Sequence, residues 1–366
     1  MRVALVHDYL MQGVRGAERV LAAIHELYPE APVYTLLHDP EIMAPLCAGW
    51  EVRTSFLQRL PAARRLHKAL LPLMPAATES LALAEYDLVL SDSSAWVKSV
   101  RFRGSAVHLC YCHSPARFLW FWSREYWATA TANPLARAAG RALLGHLRRW
   151  DRATCDRPTA YLANSRLVRE RIRRYYGRES TVVYPPVETD LFQPVEEDGD
   201  FYLVVSALNP YKSVDLAVAA FTRLGLPLVV IGDGPERPRL ERMAGPNVRF
   251  RGRCEQEEVC HSMARCRALI HPQEEDFGIA AVEAQSAGRP VLAYGAGGAR
   301  ETVLEGETGL FFGEQTPDSL CAVVRRFESE GAAFDKQVCR RNALRFSKRR
   351  FQEEYAEQVR RVLAPH

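Results

Sequence analysis

The sequence predicts an α/β protein made of two doubly wound domains, each with a mostly parallel sheet. Three observations carry that expectation: two series of short, continuous apolar runs, segments of helical length between them, and a proline-rich then acidic stretch that divides the series. A run that is apolar throughout belongs to a strand covered on both faces, which is the condition of a parallel sheet flanked by helices.

In the first half the strand candidates are Arg2–Val6, Val33–Leu37, Leu88–Leu90, Ala106–Cys112, Ala160–Ala163 and Thr181–Tyr184. In the second they are Tyr202–Ser206, Leu228–Ile231, Val248–Phe250, Ala268–His271, Pro290–Ala293 and Gly309–Phe312. Ala17–Leu27, Ser165–Tyr176, Asp215–Leu224, Glu257–Cys266 and Gly278–Ala287 have the length and spacing of crossover helices. The boundary is the stretch Pro185-Pro186 to Pro194, followed by the acidic Val195–Asp200. The expected domains are 1–190 and 191–346. A tail, 347–366, carries the helical stripe Phe351, Tyr355, Val359 and Val362 and is expected to pack back on the first domain.

Composition narrows the class. A chain of 366 residues exceeds what one hydrophobic core holds, about 250–300. With 48% apolar and 25% charged residues it is neither disordered nor collagen-like. No run approaches the ~18–20 apolar residues of a membrane span, and Met1–Asp8 breaks its apolar run too early for a signal peptide. A cytoplasmic location is expected. The nine cysteines are scattered, and Cys254, Cys260, His261 and Cys266 lack the C-x2-C spacing of a zinc site, so reduced thiols and no metal are expected.

The net charge of +4 conceals an asymmetry. Residues 1–190 hold 25 Lys+Arg against 18 Asp+Glu (+7), and the remainder 23 against 26 (−3). A basic first half suits an anionic partner: a phosphorylated substrate, a membrane surface or nucleic acid. Arg59, Arg64, Arg65 and Lys68 lie among leucines with no acid between 52 and 78, and Arg137, Arg141, Arg148, Arg149 and Arg152 follow the aromatic run Phe118–Trp122. Basic amphipathic segments of this kind fit an anionic lipid interface, and a solvated face over ordinary core fits equally. Nucleic acid is disfavoured by the small total charge and by the absence of a recognisable binding module.

Open α/β sheets bind ligands at the carboxyl ends of their strands, so two such domains are expected to face a ligand cleft. The densest constellation there is His271 to Val291. An acidic loop with Glu275 precedes a helix opening near Gly278, and Glu283 lies about 7.5 Å further along the axis. Backbone N–H groups at Phe277, Gly278, Ile279 and Ala280 make an anion site, beside carboxylates able to accept from sugar or ribose hydroxyls. The alternative is that the acids only complement the helix dipole and Glu283 is solvated. Gly295–Gly298 is either a close backbone approach to phosphate or a plain turn. Lys212 follows the first strand of the second domain and is either a diphosphate partner or a solvated lysine. His113 and Arg117 follow a buried strand of the first domain, and Gly16 opens a helix after the first strand. No G-x-G-x-x-G, G-x4-G-K-[ST] or G-x-S-x-G motif occurs, which removes support for nicotinamide, P-loop and hydrolase chemistry.

Glu275–Glu283 forms an E-x7-E element followed by Ala284-x-x-Ala287-Gly288-Arg289-Pro290-Val291. With Gly297-Gly298-x-x-Glu301, Gly306-x-Thr308-Gly309-Leu310, Ile231–Pro235 and Asn164-Ser165, it resembles the retaining family 4 glycosyltransferases of GT-B fold, two Rossmann-like domains. His7-Asp8-Tyr9, Gly16–Arg19, Cys112–Pro115 and Tyr184–Val187 are similar to the branch of bacterial O-antigen and exopolysaccharide mannosyltransferases.

The resemblance implies a nucleotide-sugar donor, GDP-mannose in that branch, and a glycan or polyprenyl-diphosphate-linked acceptor at a membrane. It assigns Glu275 to the donor sugar, Glu283 to the ribose, the amides of 277–280 and Gly16 to the diphosphate, and His113, with Arg117 nearby, to the sugar or acceptor. Lys212 joins Glu275 and His113 as catalytic, and no metal or other cofactor is implied. The family commonly has Arg five residues before the lysine, where this chain has Ala207. Lys212 alone, Arg300 or Arg15 would then have to stabilise the leaving group. The rival expectations are a UDP-sugar transferase making a soluble glycoside and a non-catalytic sugar-nucleotide-binding subunit.

Overall fold

A computed structural model describes residues 1–102, 106–121, 134–329 and 334–364. The chain divides into two compact units. One is Met1–Pro185 together with the segment from Phe351 on; the other is Pro186–Arg350.

Among the described residues, the first unit is built on a seven-stranded sheet in the order β3-β2-β1-β4-β5-β6-β7. Its strands are β1 (Val3–Leu10), β2 (Val33–His38), β3 (Val52–Thr54), β4 (Leu88–Ser93), β5 (Val107–Cys112), β6 (Ala160–Ala163) and β7 (Thr181–Val182). All pairings are parallel. The period-2 alternation of a strand sends neighbouring side chains to opposite faces. Ala4 and Val6 enter a core with Leu36, Trp96 and Leu147. Leu5 enters the other, with Val20, Ile24, Leu90 and Tyr111. Helix Lys348–Leu363 closes that second face with buried Phe351, Tyr355 and Val359. Each such side chain contributes about 1.5–3 kcal/mol on burial.

The second unit repeats the plan with β8 (Tyr202–Val205), β9 (Leu228–Ile231), β10 (Val248–Gly252), β11 (Leu269–His271), β12 (Val291–Tyr294) and β13 (Gly309–Phe312). Their order is β10-β9-β8-β11-β12-β13, again parallel. In both sheets the order reverses once, between β1 and β4 and between β8 and β11. Connections leave to opposite sides at such a point, which opens a crevice beyond the strand ends.

A local feature in each unit fixes the backbone beside its crevice. Asp8, near the end of β1, is 4% exposed, and its carboxylate accepts from the backbone N–H groups of Ser94, Ala95, Trp96 and Val97. That pins the chain leaving β4 across the mouth of β1. In the second unit, Ser213 has a left-handed φ of 50° between the turn Pro210–Lys212 and helix Val214–Leu224.

The region 56–79, for which a lipid-facing segment and a solvated face over core were both open, does not form one continuous helix. It forms short 3-10 turns at Phe56–Arg59 and Leu71–Leu73 and a helix at Met74–Glu79. Leu57, Ala63, Leu71, Met74 and Ala77 join the core, while Phe56, Leu66 and Leu73 stay exposed. Arg141, Arg148, Arg149 and Arg152 do share one helix, Pro134–Ala153. Arg148 donates to the Leu119 carbonyl and Arg152 to that of Tyr175. Trp122 lies outside the described residues. No helix of the described residues is long and apolar enough to cross a membrane.

Candidate active site

In the second unit the loaded residues gather at the reversal of the sheet. β8 delivers Lys212 and β11 delivers Glu275. Though 63 residues apart in sequence, the Lys212 Nζ donates to Glu275 Oε1. The side chains are 18% and 21% exposed, so the solvated-lysine alternative fails. Gln273 Nε2 donates to the same carboxylate oxygen at 3.2 Å. Burial alone would raise the Glu275 pKa. The Lys212 ammonium outweighs burial, the hydrogen bonds from Lys212 and Gln273 add to it, and the carboxyl is held at about 2.

After Glu275 the chain turns through Gly278, whose φ of 89° favours a residue without Cβ, into helix Ile279–Ser286. Ile279 and Ala280, in its first turn, are half-buried, and Phe277 is buried edge-on against Phe346 with ring centroids 5.3 Å apart. The N–H groups of a first helical turn have no intrahelical acceptor and carry the positive end of the dipole. Glu283 is the fifth residue of this helix and is 6% exposed, so it is not the solvated residue of the alternative reading.

The glycine loop after β12 does something the sequence did not suggest. Gly298 N–H donates to the Glu275 carbonyl at 2.8 Å. A Cβ on Gly297 would stand 2.4 Å from that same oxygen, and one on Gly298 2.4 Å from Phe277 Cα. The glycines let this loop brace the acidic loop from behind. Arg300 Nε is bonded to the Gly295 carbonyl, and Ala207 is exposed after β8.

The first unit holds a second polar cluster, also at its sheet reversal. His7 on β1 and Asp92 on β4 are register partners. His7 Nδ1 lies 2.8 Å from Asp92 Oδ2, and His113 Nε2, just past β5, lies 2.5 Å from Asp92 Oδ1. Glu18 completes the row, its Oε1 3.9 Å from His7 Nε2. Burial opposes charge on His7, but its hydrogen bond to Asp92 and the negative charges of Asp92 and Glu18 prevail and raise its pKa to about 10. Burial likewise opposes charge on Asp92; the two imidazoles lower its pKa. His113 is 12% exposed and thus held by one ring nitrogen against a fully buried carboxylate.

Gly16 is the first residue of helix Gly16–His25, where the Arg15 N–H donates to Glu18 at 3.0 Å. The Arg15 guanidinium reaches Gln12 Oε1 at 3.0 Å. Half-buried Arg117 opens the short helix Arg117–Trp120.

The expected residues therefore fall into two groups. Lys212, Glu275 and Phe277–Ala280, with Glu283, stand together in the second unit; His113, Gly16 and Arg117 are in the first. Sequence reasoning missed Asp92 and Gln273 and gave no role to His7, Glu18 or His271. The available signal was a polar residue at the end of an apolar run, as in Val6-His7-Asp8, Ser91-Asp92-Ser93 and Ile270-His271. Among the described residues no three His, Cys, Asp or Glu side chains are placed to hold a metal ion.

Residues 187–345 match the family model described as glycosyl transferases group 1. That match takes in nearly all of the second unit. An uncharacterised glycosyltransferase of Methanocaldococcus jannaschii is 29% identical over 161 residues, 43% of this chain and 46% of that protein. A D-inositol 3-phosphate glycosyltransferase of Streptomyces avermitilis is 26% identical over 288 residues, 68% of this chain and 59% of the relative. The matches thus span about half the length of these curated relatives. Among solved structures, Anabaena HepE with UDP and glucose superposes with a TM-score of 0.72 at 19% identity, covering 98% of this chain and 99% of that one. The fold is GT-B: two α/β domains, each on a parallel sheet.

Proposed function

We propose that this protein is a retaining glycosyltransferase that moves a hexose, mannose from GDP-mannose, to a hydroxyl of a glycan on a lipid diphosphate carrier. One observation carries the proposal: a lysine and a carboxylate meet at the sheet reversal of a group 1 domain, beside the first turn of a helix. A cation and backbone N–H groups suit a diphosphate, and a carboxylate suits sugar hydroxyls. The acceptor hydroxyl attacks the anomeric carbon on the face the diphosphate leaves. The bond to the phosphate oxygen breaks with its electron pair, the departing diphosphate oxygen takes the hydroxyl proton, and configuration is retained. Lys212 and the amides of Phe277–Ala280 stabilise the departing charge, Glu275 holds the sugar and Glu283 the ribose. This task is electrostatic and calls for neither a protein nucleophile nor a metal. Gly16 serves the diphosphate and His113 and Arg117 the acceptor side. The donor assignment rests on the mannosyltransferase-like motifs, and a peripheral site on an anionic membrane rests on the basic first half of the chain.

The second reading is a UDP-sugar transferase, favoured by the UDP and glucose bound in HepE. A thermal-shift panel of GDP-, UDP- and ADP-sugars separates them. A ligand at 100 times its Kd stabilises by about 2.7 kcal/mol. Stabilisation by GDP-mannose is expected. Stabilisation by UDP-sugars alone establishes the second reading, and no response to any of them overturns both.

A further inference from the structure

His271 ends β11 and is 2% exposed, yet among the described residues its Nε2 has no hydrogen-bond partner. A buried polar atom left unpaired is costly and uncommon.

The position of the ring proton is dictated by the neighbours. Gln273 directs one amide atom, Nε2, at Glu275 Oε1 (3.2 Å) and at His271 Nδ1 (3.3 Å). An ionised carboxylate only accepts, so the Gln273 group facing it is the NH2 and not the amide oxygen. That NH2 must also donate to Nδ1. Nδ1 is then unprotonated, and the single proton of the neutral ring is on Nε2. Burial keeps the ring neutral by lowering its pKa.

The Nε2–H stands 3.9 Å from Glu275 Oε2, too far for a hydrogen bond. It looks into a gap left by Gly278, where a Cβ would come within 3.2 Å of Nε2 and 3.7 Å of Glu275 Oε2. Lys212 holds the other carboxylate oxygen, Oε1. A lysine that turns to a diphosphate must release it.

We propose that His271 and Gln273 are positioning residues for Glu275. When Lys212 leaves for the diphosphate, Gln273 keeps Oε1 and His271 Nε2–H closes on Oε2, so the carboxylate stays aimed at the sugar. This rests on the reading of the second unit as the donor site. It adds that the strand end beneath the site takes over the carboxylate once its lysine has gone.

Long-range 1H–15N spectra of the free, full-length protein should show the His271 proton on Nε2, and Gln273→Met should abolish that preference. Calorimetric titration with GDP against GDP-mannose, and UDP against UDP-glucose, then tests the handover. Gln273→Met and His271→Leu should weaken the sugar nucleotide about tenfold while changing the nucleoside diphosphate by less than about twofold. His271→Gln, whose amide can place an N–H near the position of Nε2, should restore most of the loss. A wild-type proton on Nδ1, or equal losses for both members of a pair, overturns the proposal. Should neither pair bind the wild type, the donor reading fails separately, and the proton position alone decides this inference. If His271→Leu does not fold, Gln273→Met carries the comparison.

Discussion

Two lysine–carboxylate pairs, one in each unit, share a chemistry and differ in their surroundings. In the first unit Lys98 Nζ lies 3.0 Å from Asp151 Oδ1, with the side chains 1% and 0% exposed. The ammonium also donates to the Asp151 carbonyl (2.9 Å) and Ser99 Oγ (3.0 Å), and it faces the Tyr176 ring 4.7 Å from its centroid. Asp151 Oδ2 accepts from Trp120 Nε1 at 2.7 Å. This pair has no reason to open. Lys212 and Glu275 are each about one-fifth exposed, and among the described residues Glu275 is the one hydrogen-bond acceptor of the Lys212 ammonium. The partner set around a pair, more than the pair itself, separates a fixed cross-link from one able to exchange partners.

The sharpest break in that comparison is Glu275→Ala. Transfer should fall by about a thousandfold or more with folding intact. A near-normal rate in a sugar-transfer assay would remove Glu275 from the mechanism. Next come the two lysines. Lys98→Met leaves a buried, unpaired carboxylate and should cost about 3–5 kcal/mol in urea unfolding. Lys212→Met leaves Glu275 partly solvated and still bonded to Gln273, and should cost less than Lys98→Met, about 1–3 kcal/mol, while slowing transfer about a hundredfold. Equal stability losses would erase the distinction.

The other polar cluster offers a test that depends on pH. The folded-state pKa of His7 is raised to about 10, so its contribution is complete below the unfolded value near 6.5 and is lost as pH rises toward 10. The stability gap between wild type and His7→Gln should therefore narrow from pH 6.5 upward. A gap that widens with pH contradicts the ion-paired assignment.

Much of the fold could be read from the sequence because buried parallel strands leave a local mark. Ala160–Ala163, Leu228–Ile231 and Gly309–Phe312 are delimited by their apolar runs alone. β3 left no such mark: it is a three-residue edge strand with an exposed Arg53 at its centre. The stretch 56–79 left two readings open because leucines among basic residues suit either an amphipathic segment or a basic face over core; turns at Leu60-Pro61 and Leu71-Pro72 keep it from being one helix. In the donor-side cluster Glu275 and Lys212 could be named from spacing and resemblance, but their contact could not, since it depends on β8 and β11 becoming neighbours. His7 and Asp92 are 85 residues apart, and only their pairing register brings them together.

The first unit is discontinuous: its strands end by Pro185, and the helix that covers Leu5, Val33 and Tyr111 returns only at Phe351. During synthesis the roughly 165 residues of Pro186–Arg350 must emerge before that lid exists. At about 5–20 residues per second, this wait lasts about ten to thirty seconds. The nascent chain thus presents an incompletely covered greasy sheet face to the cell, sheltered only by helices such as Gly16–His25, while its neighbour, contiguous in sequence, is free to finish. Any edit that shortens the terminal helix turns this passing exposure into a lasting one.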